Sequence, residues 1–170
     1  MDIEVRILVP DDVTKSYVSW FDDDEVMRFS DNRFREFSLE GQIAYVSAKQ
    51  NSENEHLYGI FASGRHIGNI MLGPVDVHHR HSEITYMLGD RNYWGKGVMS
   101  RAIASVVQKA FSKHGLYKVF AGTYENNKGS RKVLENCGFE LEGQRKGHFL
   151  HEGERVDMLE YGLVRENQPV

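Results

Sequence analysis

The alternation of hydrophobic and polar positions predicts β-strands along several parts of the chain. In the first of them, "IEVRILV", Ile3, Val5 and Ile7 alternate with charged or turn-facing neighbours. Residues 56–90 contain three β-favouring runs broken at "SGRH" and at "VDVHHRH", which is the pattern of an antiparallel meander. Later runs also predict strands, and these are "LYKVFAGTY", "FELEGQRKG" and "RVDMLEYGLV".

Apolar residues with a helical period predict helices between these strands. The clearest helix begins near Val98 and ends before Gly115, and its apolar positions are Val98, Ala102, Ile103, Val106, Val107, Ala110 and Phe111. Residues 38–50 predict another helix, with Ser38 as its N-cap and an inward face of Leu39, Ile43 and Val46.

Two weaker signals complete the order of elements. The acidic clusters in residues 11–29 predict one or two short helices, and "KGSRKVLENCG" predicts a helix that ends at Gly138. Strands, helix, strand, helix and strands follow one another, which predicts an α/β or α+β fold around one mixed sheet. We expect a single domain over residues 1–170.

Charge and hydropathy narrow the possible partners. The formal net charge is −4, and the lysines and arginines are dispersed, so the chain lacks the basic stripe that binds nucleic acid. The amino terminus lacks the pattern of a secretory signal, and no apolar run reaches the roughly 20 residues that span a bilayer. We therefore expect a cytoplasmic protein with no nucleic-acid or membrane partner.

Metal and disulfide chemistry have little support in the sequence. Cys137 is the only cysteine, which excludes an internal disulfide and a cysteine-based zinc site. The "HHRH" segment, residues 78–81, predicts an exposed turn, because adjacent side chains on an extended chain point to opposite faces. We expect no bound metal.

The stretch "RNYWGKGVMSRAI", residues 91–103, is a glycine turn between a predicted strand and a predicted helix. Such a turn presents backbone N–H groups and the positive end of a helix dipole, which together bind phosphate. The spacing excludes a nucleoside-triphosphate loop, because Gly97 rather than a hydroxyl residue follows Lys96. A dinucleotide loop would require glycine where Ser100 stands.

The remaining match is to a known family. "NYWGKG", residues 92–97, resembles the pyrophosphate loop [QR]-x-x-G-x-[GA] of the GNAT acetyltransferases, with Asn92 at its first position. "NKGSRKVLENCGFELEG", residues 127–143, resembles the family's next helix and strand, and "WFDDDEVMRF", "IGNIML" and "SEITYMLGD" occur in the expected order. The resemblance covers nearly the whole chain and is strongest to the branch that acetylates N-terminal amines of ribosomal proteins.

This resemblance implies a fold and a donor. The implied fold is a mostly antiparallel mixed sheet whose central strands splay apart, and the implied cosubstrate is acetyl-CoA. The residues implied to bind it are Met87, Leu88, Asn92, Gly95, Lys96, Gly97, Val98, Ser100, Asn127 and Ser130. Met87 and Leu88 would act through backbone N–H groups on the acetyl oxygen.

The resemblance leaves more than one interpretation for each catalytic residue. Many family members use a tyrosine seven residues after the helix asparagine as the general acid, but that count from Asn127 ends at Leu134. Ser130 matches a serine that assists the leaving sulfur in the ribosomal-protein branch. Its alternative role is an ordinary bond to the backbone in the first helical turn.

Two residues are candidates for the general base. Glu83 lies on the strand that the family places beside the acetyl group, and its alternative role is a cross-strand salt bridge. His148 lies near an acidic position of the ribosomal-protein branch, and its alternative role is a solvated loop histidine.

The amine acceptor stays open. Trp20, Phe21, Arg28 and Tyr86 are the predicted residues of its pocket. A protein or peptide N-terminus, a polyamine, another small-molecule amine and a nucleotide amino sugar are all compatible with the resemblance. Leu134 also leaves open a CoA-binding module without turnover, and the sequence does not separate a monomer from a homodimer.

Overall fold

The computed structural model describes residues 2–165 and contains one seven-stranded sheet with five helices in that range. The strands are β1 (Glu4–Ile7), β2 (His56–Ala62), β3 (Arg65–Asp76), β4 (His81–Leu88), β5 (Lys118–Tyr124), β6 (Glu140–His151) and β7 (Glu154–Val164). The helices are α1 (Lys15–Ser19), α2 (Asp24–Met27), α3 (Leu39–Gln50), α4 (Val98–Ser112) and α5 (Lys128–Asn136). Short 3-10 turns lie at Pro10–Asp12, Trp20–Asp22, Asp31–Phe34 and Arg91–Tyr93.

The strand order is β1-β2-β3-β4-β5-β7-β6, and only β4 and β5 run parallel. Their pairing extends from His81 opposite Lys118 to Glu83 opposite Phe120 and then stops, although both strands continue. The two central strands therefore diverge beyond Glu83. The predicted mixed, mostly antiparallel sheet with splayed central strands is confirmed.

The sheet separates two hydrophobic cores. On one face, α4 and α5 pack over the strands, and Ile84, Tyr86 and Leu88 of β4 contribute to that core. On the other face, the segment that contains α1, α2 and α3 covers the sheet, and Met87 joins the second core. Alternation along β4 places Glu83 and Met87 on the same face.

Helix α4 follows the predicted pattern. Its apolar stripe buries Val98, Ala102, Ile103 and Val106 against the sheet, and the helix begins directly after Gly97. Gly97 has a φ of 69°, a left-handed conformation that glycine adopts without strain. Within the described residues, no helix is long and apolar enough to cross a membrane.

Helix α3 has the predicted bounds, and Leu39 and Val46 of its predicted inward face pack in the second core, but Ile43 does not. The hydroxyl of Ser38 accepts the N–H of Gly41, as an N-cap does. Ile43, however, is 38% exposed, while Gln42 and Val46 are buried. A helical stripe that contains Leu39 can continue at i+3, which is Gln42, or at i+4, which is Ile43. In the structure Gln42 is the inward residue, and it lines the cavity described below.

Strand β6 is longer than predicted and reaches His151. Three of its residues, 146–148, lie opposite Asp157 alone, so β6 bulges there and then resumes pairing with β7. The Asp157 carboxylate accepts the N–H of Gly147 at 2.7 Å and binds Lys146 at 2.8 Å, which stabilises the bulge. His148 therefore lies in a strand bulge and not in a loop.

Candidate active site

A cavity of about 930 Å³ opens where β4 and β5 diverge. Its lining includes Tyr86 and Leu88 from the α4 face of β4 and Glu83 and Met87 from the opposite face. The cavity therefore passes through the sheet, and groups that enter from the two faces can meet between the strands.

The glycine turn forms the wall on the α4 face. Gly95, Gly97, Val98 and Ser100 line the cavity, and Gly95 has a φ of 71°. A Cβ atom added at either glycine would have no neighbour within 4 Å, so the space beside the turn is open. The first N–H groups of the 15-residue helix α4 face this region, and such groups bind anionic oxygen atoms.

The diverging part of β4 supplies further donors. Residues 84–88 have no partner on β5, which leaves every second backbone N–H directed into the gap. Met87 and Leu88 both line the cavity, and the Leu88 carbonyl accepts the indole N–H of Trp94 at 2.7 Å. Unpaired N–H groups at such a position can bind the oxygen of an acyl group.

Two hydroxyl groups meet in this gap. Tyr86 Oη lies 2.7 Å from Ser130 Oγ, and both residues line the cavity. The Ser130 N–H donates to the Asn127 side chain at 3.0 Å, which caps helix α5. Burial raises the pKa of Tyr86, so its hydroxyl stays protonated and can donate. Ser130 therefore bonds to a side-chain hydroxyl in addition to its backbone contact.

Glu83 is half-buried in the cavity wall on the opposite face. No described residue forms an ion pair or hydrogen bond with its carboxylate, so the structure provides no salt bridge for it between residues 2 and 165. Desolvation raises the pKa of Glu83, because burial disfavours the charged form. An unpaired carboxylate with a raised pKa is suited to accept a proton.

The family is identified by a sequence model of the acetyltransferase (GNAT) domain, which matches residues 2–140. The chain belongs to the GNAT family. The probable N-acetyltransferase YjcK of Bacillus subtilis is 33% identical over 115 residues, which are 63% of this chain and 62% of that protein. Matches to two further curated relatives span 55% and 57% of their lengths, so this chain aligns with less than two thirds of these proteins.

Solved structures have the same fold. The spermidine N-acetyltransferase of Vibrio cholerae, in complex with CoA and spermine, superposes with a TM-score of 0.83 at 19% identity and 95% coverage of both chains. The ribosomal-protein-S5-alanine acetyltransferase of Vibrio fischeri superposes with a TM-score of 0.82 at 20% identity, covering 99% of this chain and 97% of its own. The predicted GNAT fold is therefore confirmed.

Not every predicted residue of the GNAT loop reaches the cavity. Asn92 and Lys96 are exposed and lie outside the cavity wall. The Asn92 backbone N–H donates to Asp90 at 3.0 Å, which fixes the short turn before the glycines. Trp94 and Met99 line the cavity and were not among the predicted residues, although both lie in the same sequence stretch.

Only some of the residues predicted to bind the acceptor line the cavity. Phe21 and Tyr86 line the cavity. Trp20 is only 6% exposed, packs against Gly89 and belongs to the second core, so it supports the wall from behind. Arg28 is exposed and pairs with Glu152 at 3.1 Å, which holds it outside the cavity.

His148 is also outside the cavity. It is exposed in the β6 bulge, and its ring contacts Phe149 edge-on at 4.9 Å. Phe149, the next residue, lines the cavity instead. The structure therefore does not bring His148 to Glu83 and Ser130.

Of an aromatic region on the face that holds Glu83, sequence reasoning predicted only Phe21. The rings that line it come from separate elements and include Phe21, Phe29, Phe37, Tyr45, Tyr124 and Phe149. Two pairs stack face to face, Phe21 with Phe37 at 3.9 Å and Tyr124 with Phe149 at 3.8 Å between centroids. We call this region the aromatic arm.

Proposed function

We propose that this protein is an N-acetyltransferase that transfers the acetyl group of acetyl-CoA directly to a primary amine. The observation that carries the proposal is the cavity through the sheet, which joins the glycine turn on one face to Glu83 on the other. Donor and acceptor would enter from opposite faces and meet between β4 and β5.

The glycine turn fits the donor. The open space beside Gly95 and Gly97 allows a pyrophosphate to approach the backbone, and the amino-terminal N–H groups of α4 would bind it. Acetyl-CoA, when bound, supplies an acyl carbon activated as a thioester. Residues of this chain would bind the donor and the acceptor and transfer the protons.

Glu83 would act as the general base. An aliphatic amine is mostly protonated near neutral pH and must lose a proton before it can attack an acyl carbon. Glu83 lies on the acceptor face without an ion-pair partner among the described residues. Its raised pKa makes the carboxylate a stronger base than an exposed glutamate.

The unpaired amides of β4 would bind the oxygen on which negative charge develops. They are fixed by the pairing of β4 with β3, so that they need no rearrangement during the reaction. Ser130, hydrogen-bonded to Tyr86, would donate a proton to the leaving sulfur. A thiol pKa of roughly 8.5 makes this help useful without making it essential.

Release of free thiol from acetyl-CoA tests the proposal. The protein is incubated with acetyl-CoA and, in separate reactions, a peptide, spermidine, an amino acid and a UDP-amino sugar. We expect acceptor-dependent thiol release and an acetylated product of the same acceptor by mass spectrometry. Tight binding of CoA with no release for any amine would instead identify a binding module without turnover.

A further inference from the structure

The aromatic arm carries information about the acceptor. Phe29 contacts Tyr124 at 5.6 Å between centroids, and Tyr124 stacks on Phe149, so three rings from distant parts of the chain form one surface. Phe21 and Phe37 form a second stacked pair in the same cavity. Surfaces of this kind bind large flat or apolar groups, because burial of apolar area and ring contacts both stabilise them.

The charges in the cavity are balanced. Its described lining contains two carboxylates and two cations, which are Asp31, Glu83, Arg35 and Lys132. Asp31 already accepts a hydrogen bond from Tyr124 Oη at 3.2 Å. A polyamine needs an excess of carboxylates over cations to replace the hydration of its several ammonium groups. The lining of this cavity has no such excess.

Arg35 has no partner for its guanidinium among residues 2–165, and it lines the cavity. Its backbone is fixed, because the Arg35 N–H donates to the Asn32 carbonyl at 3.0 Å. The neighbouring Arg33 differs, since its guanidinium donates to the carbonyls of Arg28 and Leu150. Arg35 is exposed at the cavity wall, and an unpaired guanidinium in a cavity lined by aromatic rings can bind a carboxylate through two parallel hydrogen bonds.

We propose that the acceptor is an amine that carries both a carboxylate and a large apolar or aromatic group, as an aromatic amino acid or a short peptide of such residues does. Arg35 binds the carboxylate, the aromatic arm binds the side chain, and the amine faces Glu83. The proposal rests on the N-acetyltransferase function proposed above and names its substrate class.

The reaction on this acceptor is balanced. The amine nitrogen forms a bond to the acyl carbon, and the bond between that carbon and sulfur breaks. Glu83 accepts the proton that the ammonium loses and passes it to solvent, and the nitrogen loses a second proton to solvent after it has attacked the acyl carbon. The leaving thiolate gains a proton through Ser130, which regains one from solvent, so the products are the N-acetylated acceptor and free CoA thiol, with one proton released in total.

A matched pair of acceptors tests the role of Arg35. Phenylalanine and phenylalanine amide differ only in the carboxylate, and Arg35→Gln removes only the guanidinium. We expect this variant to lower kcat/KM for phenylalanine about 10- to 100-fold, mainly through KM, as loss of a charged hydrogen-bonded pair does. For the amide we expect a change of about twofold or less. The variant is compared with the wild type on the same acceptor, so the different basicities of the two amines do not affect the ratio.

Controls separate this proposal from the one on which it rests. Arg155→Gln removes an exposed arginine outside the cavity wall and should leave kcat/KM unchanged for both acceptors. Equal losses for both acceptors, or a raised KM for acetyl-CoA, would overturn the assignment of Arg35. Faster thiol release with spermidine than with phenylalanine would overturn the acceptor class while leaving the acetyltransferase function intact. No release with any amine would overturn the function itself.

Discussion

Tyr86 Oη and Ser130 Oγ lie 2.7 Å apart across the gap that opens between β4 and the first turn of α5. The contact joins a strand residue to a helix residue 44 positions away, and both hydroxyls line the cavity. Leu134, at the position where many GNAT enzymes have their tyrosine, is fully buried in the core and cannot reach the cavity. The proposed proton donor is therefore this hydroxyl pair, which lines the cavity where Leu134 does not.

Ser130→Ala should lower kcat by about tenfold, because it removes the hydroxyl proposed to donate to the leaving sulfur while the Ser130 N–H still donates to the Asn127 cap of α5. Tyr86→Phe should have a smaller effect, and the two changes together should cost no more than Ser130→Ala alone, because they act through one hydrogen bond. Steady-state kinetics of all three variants measure this coupling. Strictly additive losses would show that the hydroxyls act separately.

Glu83→Gln should lower kcat/KM by about 100-fold or more, because the amide cannot accept a proton. In the wild type, activity should fall as the pH falls through the raised pKa of Glu83, since only the carboxylate is a base. The variant should lose that acidic limb of the pH profile and keep its affinity for acetyl-CoA. An unchanged limb would assign the base to another group.

His148→Ala should leave kcat and kcat/KM within about twofold of the wild type, because the side chain is exposed in the β6 bulge and outside the cavity. The same kinetic assay measures it. A large loss of kcat with unchanged stability would return His148 to the list of candidate bases and would require β6 to rearrange in the complex.

Local sequence spacing is sufficient to predict part of this site. Gly95, Gly97 and Ser130 are recognisable because each acts next to a helix start, where the conformation depends on a few consecutive residues. The aromatic arm could not be predicted in this way. Asp31 and Tyr124 are 93 residues apart and meet only because the turn at Asp31–Phe34 packs on the face of the sheet to which Tyr124 of β5 points.

Ambiguous hydrophobic patterns account for the remaining differences between the predicted and the observed fold. The stripe of α3 fits either Ile43 or Gln42, and hydrophobicity alone favours Ile43, whereas the structure turns Gln42 towards the cavity. Gly147 looks like the end of a strand, but Asp157 binds its N–H and lets β6 continue. At Gly147 a tertiary hydrogen bond decides what the local pattern leaves open, and at Gln42 the position of the cavity does.

Gly97→Trp should weaken CoA binding by at least tenfold, because the indole would fill the open space that the pyrophosphate needs. Gly64→Trp is the matched control. Gly64 also has a positive φ, 76°, and nothing within 4 Å of its Cβ position, but it lies in the exposed turn between β2 and β3. Both variants place a tryptophan at a left-handed φ. Calorimetric titration with CoA should separate them, and equal affinities would refute the assignment of the glycine turn.

His66 should make stability depend on pH. Its Nε2 lies 3.1 Å from the Gly68 carbonyl and 2.7 Å from Asn69 Oδ1, two acceptors, so the proton is on Nε2, and the buried Nδ1 has no partner in the described chain. Burial lowers the pKa of His66, even though Asp12 lies nearby. The unfolded chain therefore binds a proton more readily than the folded one.

The stabilisation from neutral His66 should be complete above the unfolded histidine pKa of about 6.5 and should decrease as the pH falls below it. Denaturant unfolding at pH 7.5 and pH 5.5 measures this loss. His66→Gln should reduce the difference between the two pH values, because glutamine does not titrate, whereas His148→Gln at an exposed position should leave it unchanged. The same pH dependence in wild type and His66→Gln would assign the effect to the partly buried histidines His56 and His114, whose pKa values are also lowered by desolvation.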